Sequence, residues 1–373
     1  MSTASPQPSA SAEPYAKHWV LMVALVLCAF ITGLDNTVLN IALAKIRTDL
    51  ELSYTGLQWV GTSYILAFSS LLMVGGRLTD LFGRRQVLLA GMAIFVVSSV
   101  FAAFATSGTF LIIARVFQGI GGALVLPATG AVLANDVAPE KRHLAVGIWT
   151  ASIASAIALG PIVGGAIVEV AHWSWIFFLN VPIGIGAAIM VRRTVPPEQI
   201  QRPARPEFIA KLDFPGLITS SVTLFAFTFS LVHGQEHGGF TSPVVLLSLA
   251  IGFISAWLFI RTEKATPFPL VDLELFKDKI FAGGVAAQII WGLGINGILF
   301  FTALFLQDVL ELSPFDAGLF YLPLAIAIGV AVPIGAKMAT AVGVNVTVAF
   351  GMVLIAIGLF MGVFIDADDP PVR

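Results

Sequence analysis

Two charged side chains, Asp35 and Arg115, stand inside long apolar runs of this 373-residue chain. An ionised group at that depth costs on the order of 3 kcal/mol on insertion scales, so each needs a cavity or a partner. Asp35 lies about 8 residues, roughly 12 Å, inside the outer end of its run, and Arg115 about 6 residues, roughly 9 Å, inside the outer end of its own. Thr32, Asn36 and Asn40 accompany Asp35 at helical spacing as one polar stripe, and Gln118 and Gly122 share the face of Arg115. The chemistry this permits is binding of a proton or a cation by Asp35 at a central cavity, with Asn36, Asn40 and Gln118 as further lining groups. Arginine stays charged. Beside a carboxylate it favours the ionised form, and its withdrawal favours proton uptake. An Asp35–Arg115 couple is therefore a candidate protonation switch. The competing readings are a helix-packing carboxyl and an arginine that snorkels to the outer interface.

Two further stretches have spacing with physical content. Gly76-Arg77-Leu78-Thr79-Asp80-Leu81-Phe82-Gly83-Arg84-Arg85 is a short polar break between apolar runs. Gly76 and Gly83 permit close helix approach and a sharp turn. Asp80 can accept from backbone N–H groups at a helix end or pair with an arginine, and Arg84 and Arg85 anchor the break at headgroups. The plainer reading is a basic topological turn, which leaves the aspartate and the glycine spacing unexplained. In the second stretch, Ser152, Ala156, Gly160 and Gly164 recur every fourth residue, followed by Gly165. Small residues on one stripe let a neighbouring helix approach closely, and Pro161 removes a backbone hydrogen bond and can bend the helix. That combination suits a gate as well as ordinary tight packing.

The elements that must carry these residues are membrane helices. The chain is 57% hydrophobic and 11% charged, against about 25% charged in a soluble domain. Eleven apolar spans are expected, at 19–43, 57–76, 86–105, 109–134, 144–168, 173–191, 213–233, 243–261, 280–306, 315–336 and 344–365. Residues 1–18 read as a disordered cytoplasmic tail. The 192–212 break, with Arg192, Arg193, Arg202, Arg205, Lys211 and several prolines, reads as a cytoplasmic linker. It follows a six-helix half at 19–191. Residues 213–279 then form two extra spans and a cytoplasmic loop, and 280–373 the first three helices of an incomplete second half.

Most Lys and Arg residues fall in alternate breaks, leaving only Lys45, Arg47 and Arg373 on the other side. The N-terminus is therefore expected to be cytoplasmic. A weak internal repeat is also present. Glu51-Leu52-Ser53 resembles Glu311-Leu312-Ser313, and Gly76–Gly83 aligns with Ala336–Gly343, where Thr340 replaces Asp80. The single cysteine, Cys28, excludes an internal disulfide. There is no phosphate-binding loop motif, no basic tract for nucleic acid, and no convergent ligand set for a metal or a cofactor. His172, Trp173 and Trp175 read as interfacial anchors, Asp213 as a helix cap, and Asp272 to Lys279 as a solvated loop.

The loop at Gly76–Arg85 resembles the signature between helices 2 and 3 of the major facilitator superfamily. Leu111–Ala123, with Arg115, Gln118, Gly119, Gly121 and Gly122, is similar to the family's fourth-helix motif. Ala156–Gly165 is similar to its antiporter motif in the fifth helix, with Ala156 where glycine is usual. Leu34–Leu43 and Trp173–Gly184 resemble patterns of the fourteen-span drug:proton antiporter branch. The resemblance covers the chain from Trp19. It implies an all-α polytopic membrane protein with the major facilitator fold of inverted three-helix repeats, and a monomer in the plasma membrane. It also implies proton-coupled export of lipophilic small molecules by alternating access, with a proton-transfer role for Arg115 and no enzymatic activity. By the same resemblance the chain is expected to be truncated, with three more helices after Arg373. The alternatives are a transporter of a metabolite, siderophore or lipid on the same fold, and a non-transporting remnant.

Overall fold

The computed structural model describes residues 15–197, 213–234, 239–306 and 310–362. Most of the expected tail, most of the linker and the aspartate-rich end at 366–369 lie outside the described residues. The first helices are α1 (Tyr15–Asp49), α2 (Tyr54–Phe82), α3 (Arg84–Ala103), α4 (Gly108–Asp136) and α5 (Pro139–Val170). They are followed by a short α6 (Trp175–Phe178) and α7 (Asn180–Thr194). Then come α8 (Phe214–His233), α9 (Pro243–Ala265), α10 (Lys279–Leu304), α11 (Pro314–Leu319), α12 (Leu322–Val342) and α13 (Val344–Gly362). Among the described residues, nine helices are long and apolar enough to span a membrane, or ten if the bent α5 counts as one span. The expected span at 280–306 is the helix α10.

Two boundaries depart from expectation. The first helix begins at Tyr15, inside the expected tail, and α7 runs through Arg192 and Arg193 to Thr194. In both places the helix extends past its apolar run, because polar residues can continue a helix beyond the membrane face.

The turns are set by local chemistry. Ser53 accepts from Gly56 N–H and caps α2, and Ser107 accepts from Phe110 N–H and caps α4. Gly83, at φ 90°, closes α2 and opens α3 with nothing between. The internal repeat reappears as backbone geometry. Glu51 and Glu311 both take φ 50°, Ser53 and Ser313 both cap the next helix, and Gly83 and Gly343 take φ 90° and 93°.

In the first half α1 packs on α5 and α7, α2 on α4, and α3 on α4 and α7. The α8–α9 pair leans on α2, while α11 and α12 lean on α5. Buried side chains of the first half form two apolar clusters, one at each end of the bundle. The first holds Leu25, Cys28, Leu88, Phe95 and Val132. The second holds Leu39, Ile46, Leu111, Ile176 and Phe177. Between them lies a buried polar layer of Asp35, Ser99, Arg115, Gln118 and Asn180.

Candidate functional site

Four helices lend that layer its residues at the depth where the apolar cluster changes over: α1 gives Asp35, α3 Ser99, α4 Arg115 and Gln118, and α7 Asn180. Arg115 Nη1 forms an ion pair with Asp35 Oδ2, and both side chains are fully enclosed. Asp35 Oδ1 accepts from Asn180 Nδ2 at 2.5 Å and from Gln118 Nε2 at 3.2 Å. Gln118 Nε2 also donates to Ser99 Oγ at 2.9 Å, while its Oε1 accepts from Arg115 Nη1 at 3.1 Å. The carboxylate therefore has three side-chain donors, one of them cationic. That set compensates the desolvation of its charge.

The guanidinium has a second group of contacts. Its Nε donates to the Val60 carbonyl at 3.3 Å, and its carbon sits 4.5 Å from the Tyr64 ring centroid. Tyr64 in turn donates to the Thr32 carbonyl at 3.0 Å. Arg115 Nη2 has no hydrogen-bond partner among the described residues. These contacts would remain if Asp35 were neutralised.

The expected couple of Asp35 with Arg115 and Gln118 is thus brought together. The rest of the expected stripe is not. Asn36 and Asn40 are only half-buried and lie outside the network. A one-residue step turns a helix by about 100°, so Asn36 faces away from Asp35. Asp35 itself is enclosed within the first half. An apolar groove of about 830 Å³ runs between α2 and α4 on one side and α8 and α9 on the other, past Trp59, Leu66, Phe225 and Leu247. The polar layer does not contribute to its walls. Spacing along one helix did not identify Asn180, Ser99 or Tyr64 as site residues. The signal available was a polar residue at matching depth in otherwise apolar runs.

At one end of the bundle the Gly76–Arg85 break ties α2 and α3 to α4, α7 and the segment at Phe268. Arg84 grips Asp136, at the end of α4, with Nε at 2.6 Å and Nη2 at 2.8 Å. Arg85 donates to the Arg192 carbonyl of α7 at 2.8 Å, and Arg77 to the Phe268 carbonyl at 3.0 Å. Asp80 is exposed and sits beside Arg77 without accepting a hydrogen bond among the described residues. Of the charged residues of this break, Arg84 makes the two-pronged ion pair, with Asp136. Arg84→Gln is expected to lose about 1–2 kcal/mol from this two-pronged, charge-assisted contact. Asp80→Asn should change stability by less than about 0.5 kcal/mol. Thermal unfolding of the two variants in detergent checks the order.

Gly76 also needs correction as the close-approach glycine. A Cβ there would meet nothing nearer than Pro127 Cβ at 3.9 Å, whereas one on Gly75 would collide with the Ala123 carbonyl. Pro127 has no N–H to offer that carbonyl, and Gly75 lets α2 lie against it. Gly83 does make the sharp turn, and its N–H bonds the Thr79 carbonyl at 3.0 Å.

On α5, a Cβ at Gly160 would collide with Thr37 Oγ1 and lie 3.0 Å from Val38 N, and one at Gly164 would lie 2.7 Å from the Val38 carbonyl. Gly165 is buried. The helix bends by 41° between Ile157 and Leu159, where Pro161 cannot donate to the Ile157 carbonyl. At the far end of the bundle Trp173 is buried and donates to Asp49 at 2.9 Å, with His172 3.1 Å from the same carboxylate. Trp173 is therefore a packing residue. Trp175 remains exposed, as an interfacial anchor would be.

A family model described as Major Facilitator Superfamily matches residues 25–372. The multidrug efflux pump LfrA of Mycolicibacterium smegmatis is 34% identical over 355 residues, covering 95% of this chain and 69% of that protein. The methylenomycin A resistance protein of Bacillus subtilis is 33% identical over 305 residues, covering 82% of this chain and 64% of that protein. The chain thus spans about two thirds of the length of these curated relatives. Among solved structures, a peptide transporter POT in complex with sulfate shares the fold at TM-score 0.57 and 15% identity, covering 90% of this chain and 71% of that one.

Proposed function

The chain belongs to the major facilitator superfamily, and we propose that it works as a proton-coupled exporter of lipophilic small molecules by alternating access. The observation that carries this reading is the enclosed carboxylate of Asp35. It is held by one arginine that has other contacts ready, at the Val60 carbonyl, Gln118 Oε1 and the face of Tyr64. A proton arriving at Asp35 would remove the charge that pairs with Arg115, and the guanidinium would fall back on those contacts. Gln118 touches both partners and so adjusts to either state. The network ties α1 to α3, α4 and α7, so a change of protonation alters how α1 is held. Because α1 also packs on the bent α5, which meets α11 and α12, such a change has a mechanical route to the second half.

The export direction and the substrate class rest on the drug-resistance names of the relatives. A cytoplasmic N-terminus fits the gathering of Arg77, Arg84 and Arg85 with the ends of α4 and α7 at one end of the bundle. Membership of a transporter family argues for a non-enzymatic role.

A second reading is favoured by one specific observation, the full set of donors around the Asp35 carboxylate. A buried carboxylate with three donors is also what a purely structural ion pair would look like. Uptake into everted membrane vesicles tests the function. A lipophilic fluorescent cation is expected to accumulate when the vesicle interior is made acidic, and to leave when an ionophore collapses the gradient. Accumulation unaffected by the gradient, or none above empty membranes, would refute proton-coupled export.

A further inference from the structure

A pair of buried carboxyls outside the Asp35 network lies at the base of the α8–α9 hairpin. Asp213 stands just ahead of α8 and Glu263 in the last turn of α9, and they are 5% and 4% exposed. The expected capping role of Asp213 is present, because its Oδ1 accepts from Gly216 N–H at 3.3 Å. Asp213 takes φ 45°, an uncommon conformation for a non-glycine residue. Glu263 Oε2 accepts from Val271 N–H at 2.9 Å. Each carboxyl thus uses one oxygen for a backbone donor. The other two oxygens, Asp213 Oδ2 and Glu263 Oε1, are buried with no hydrogen-bond partner among the described residues.

Those two oxygens converge. A Cβ built on Gly216 would run into Asp213 Oδ2 and lie 2.6 Å from Glu263 Oε1, so both oxygens face the same point. Two ionised carboxylates so placed repel, and a buried acceptor without a donor carries a desolvation penalty. One proton removes both problems, because a carboxylic acid donates to the facing carboxylate.

Among the described residues, the neighbouring charges make other contacts or are exposed. On α2, Arg77 Nη2 donates to the Phe268 carbonyl, and Asp80 is exposed. On α9, Arg261 lies over the Trp257 ring at 4.7 Å, and Lys264 is exposed. Past the strap at 266–271, Asp272 caps Glu274, and Glu274 pairs with Lys277. Of these described groups, none forms an ion pair with Asp213 or Glu263. The described residues also contain no group of three or more metal-ligating side chains.

We propose that Asp213 and Glu263 together form a proton-binding site, separate from Asp35, that holds one proton between Oδ2 and Oε1. The bound proton locks the start of α8 to the end of α9. Through the Val271 bond it also fixes the 266–271 strap, which Arg77 of the Gly76–Arg85 break grips at Phe268. The hairpin base is therefore tightest when the shared proton is bound, and it loosens when that proton is lost.

Infrared difference spectra of the full chain in lipid, recorded across a pH titration, test this. The wild type is expected to show a carboxylic-acid C=O band that disappears as pH rises. Glu263→Gln and Asp213→Asn should each lose that band, and Asp272→Asn should keep it. Glu263→Gln retains an acceptor for Val271 N–H and offers an amide N–H to Asp213, so it should fold with its hairpin base locked. Its thermal midpoint is expected to stay flat over the pH range in which the wild-type midpoint falls. A wild-type band that survives in Glu263→Gln would overturn the proposal. So would a midpoint raised by Mg2+ or Ca2+ in the wild type but not in Glu263→Gln, since a cation would then occupy the site.

Discussion

Asp35→Asn is expected to abolish gradient-driven transport and to destabilise the folded protein by about 3–5 kcal/mol, the usual effect of stranding one member of a buried ion pair. Arg115 would stay charged, and asparagine would put an amide where the guanidinium needs an anion. The single variant confounds two readings, because a protein that does not fold does not transport. The double variant Asp35→Asn with Arg115→Gln separates them. Replacing both charges removes the unpaired one, and neutral replacement of a buried pair is often close to neutral in stability. The double variant should therefore melt within about 1–2 kcal/mol of the wild type. If Asp35 is the proton carrier, it should still fail to accumulate substrate against a pH gradient. Wild-type accumulation by the double variant would make the pair a structural element alone. Thermal unfolding together with vesicle uptake gives both readouts.

The second large effect is expected at Gly160. From spacing alone, a bulky residue there should stop transport and leave folding largely intact. The geometry argues for a larger structural effect. The added Cβ would strike Thr37 Oγ1 and press on Thr37 Cβ and the backbone nitrogen of Val38. A side chain can swing aside, but helix backbone at that distance yields only if α1 and α5 separate. That seam also carries the bond from Thr37 Oγ1 to the Ala156 carbonyl at 3.2 Å. Gly160→Val is expected to cost at least the 1–3 kcal/mol (roughly) typical of overpacking, seen as a lower thermal midpoint and less protein in the membrane. Gly147→Ala on the same helix meets open space and should melt as the wild type does. A Gly160→Val protein with an unchanged midpoint but no uptake would restore the gating interpretation.

Much of the architecture was legible in the residues themselves. Membrane helices announce themselves by length and hydropathy, since every backbone polar group in lipid must be satisfied within its own segment. Helix ends were less legible. The helices at Tyr15 and Thr194 run on beyond the apolar stretch, where hydropathy carries no signal. The duplicated turns could be read because φ near 50° at Glu51 and Glu311, the serine caps and the left-handed glycines are local solutions to local problems.

The site divides in the same way. Asp35 and Arg115 stood out by themselves because a charge in an apolar run is costly wherever the helix packs, and equal depth was enough to pair them. Asn180 and Ser99 are ordinary polar residues in their runs. Only the packing of α3 and α7 against α1 and α4 makes them partners of the carboxylate. Rotation about the helix axis removed Asn36 and Asn40 from the network, and the α2–α4 contact shifted the close approach from Gly76 to Gly75. Likewise, Asp213 and Glu263 lie fifty residues apart in sequence, each unremarkable alone. What the sequence by itself determined is which residues lie in the membrane and at what depth, because burial in lipid acts on each segment separately. Which side chains face one another was decided by the tertiary structure, because azimuth and contact exist only once the helices are packed.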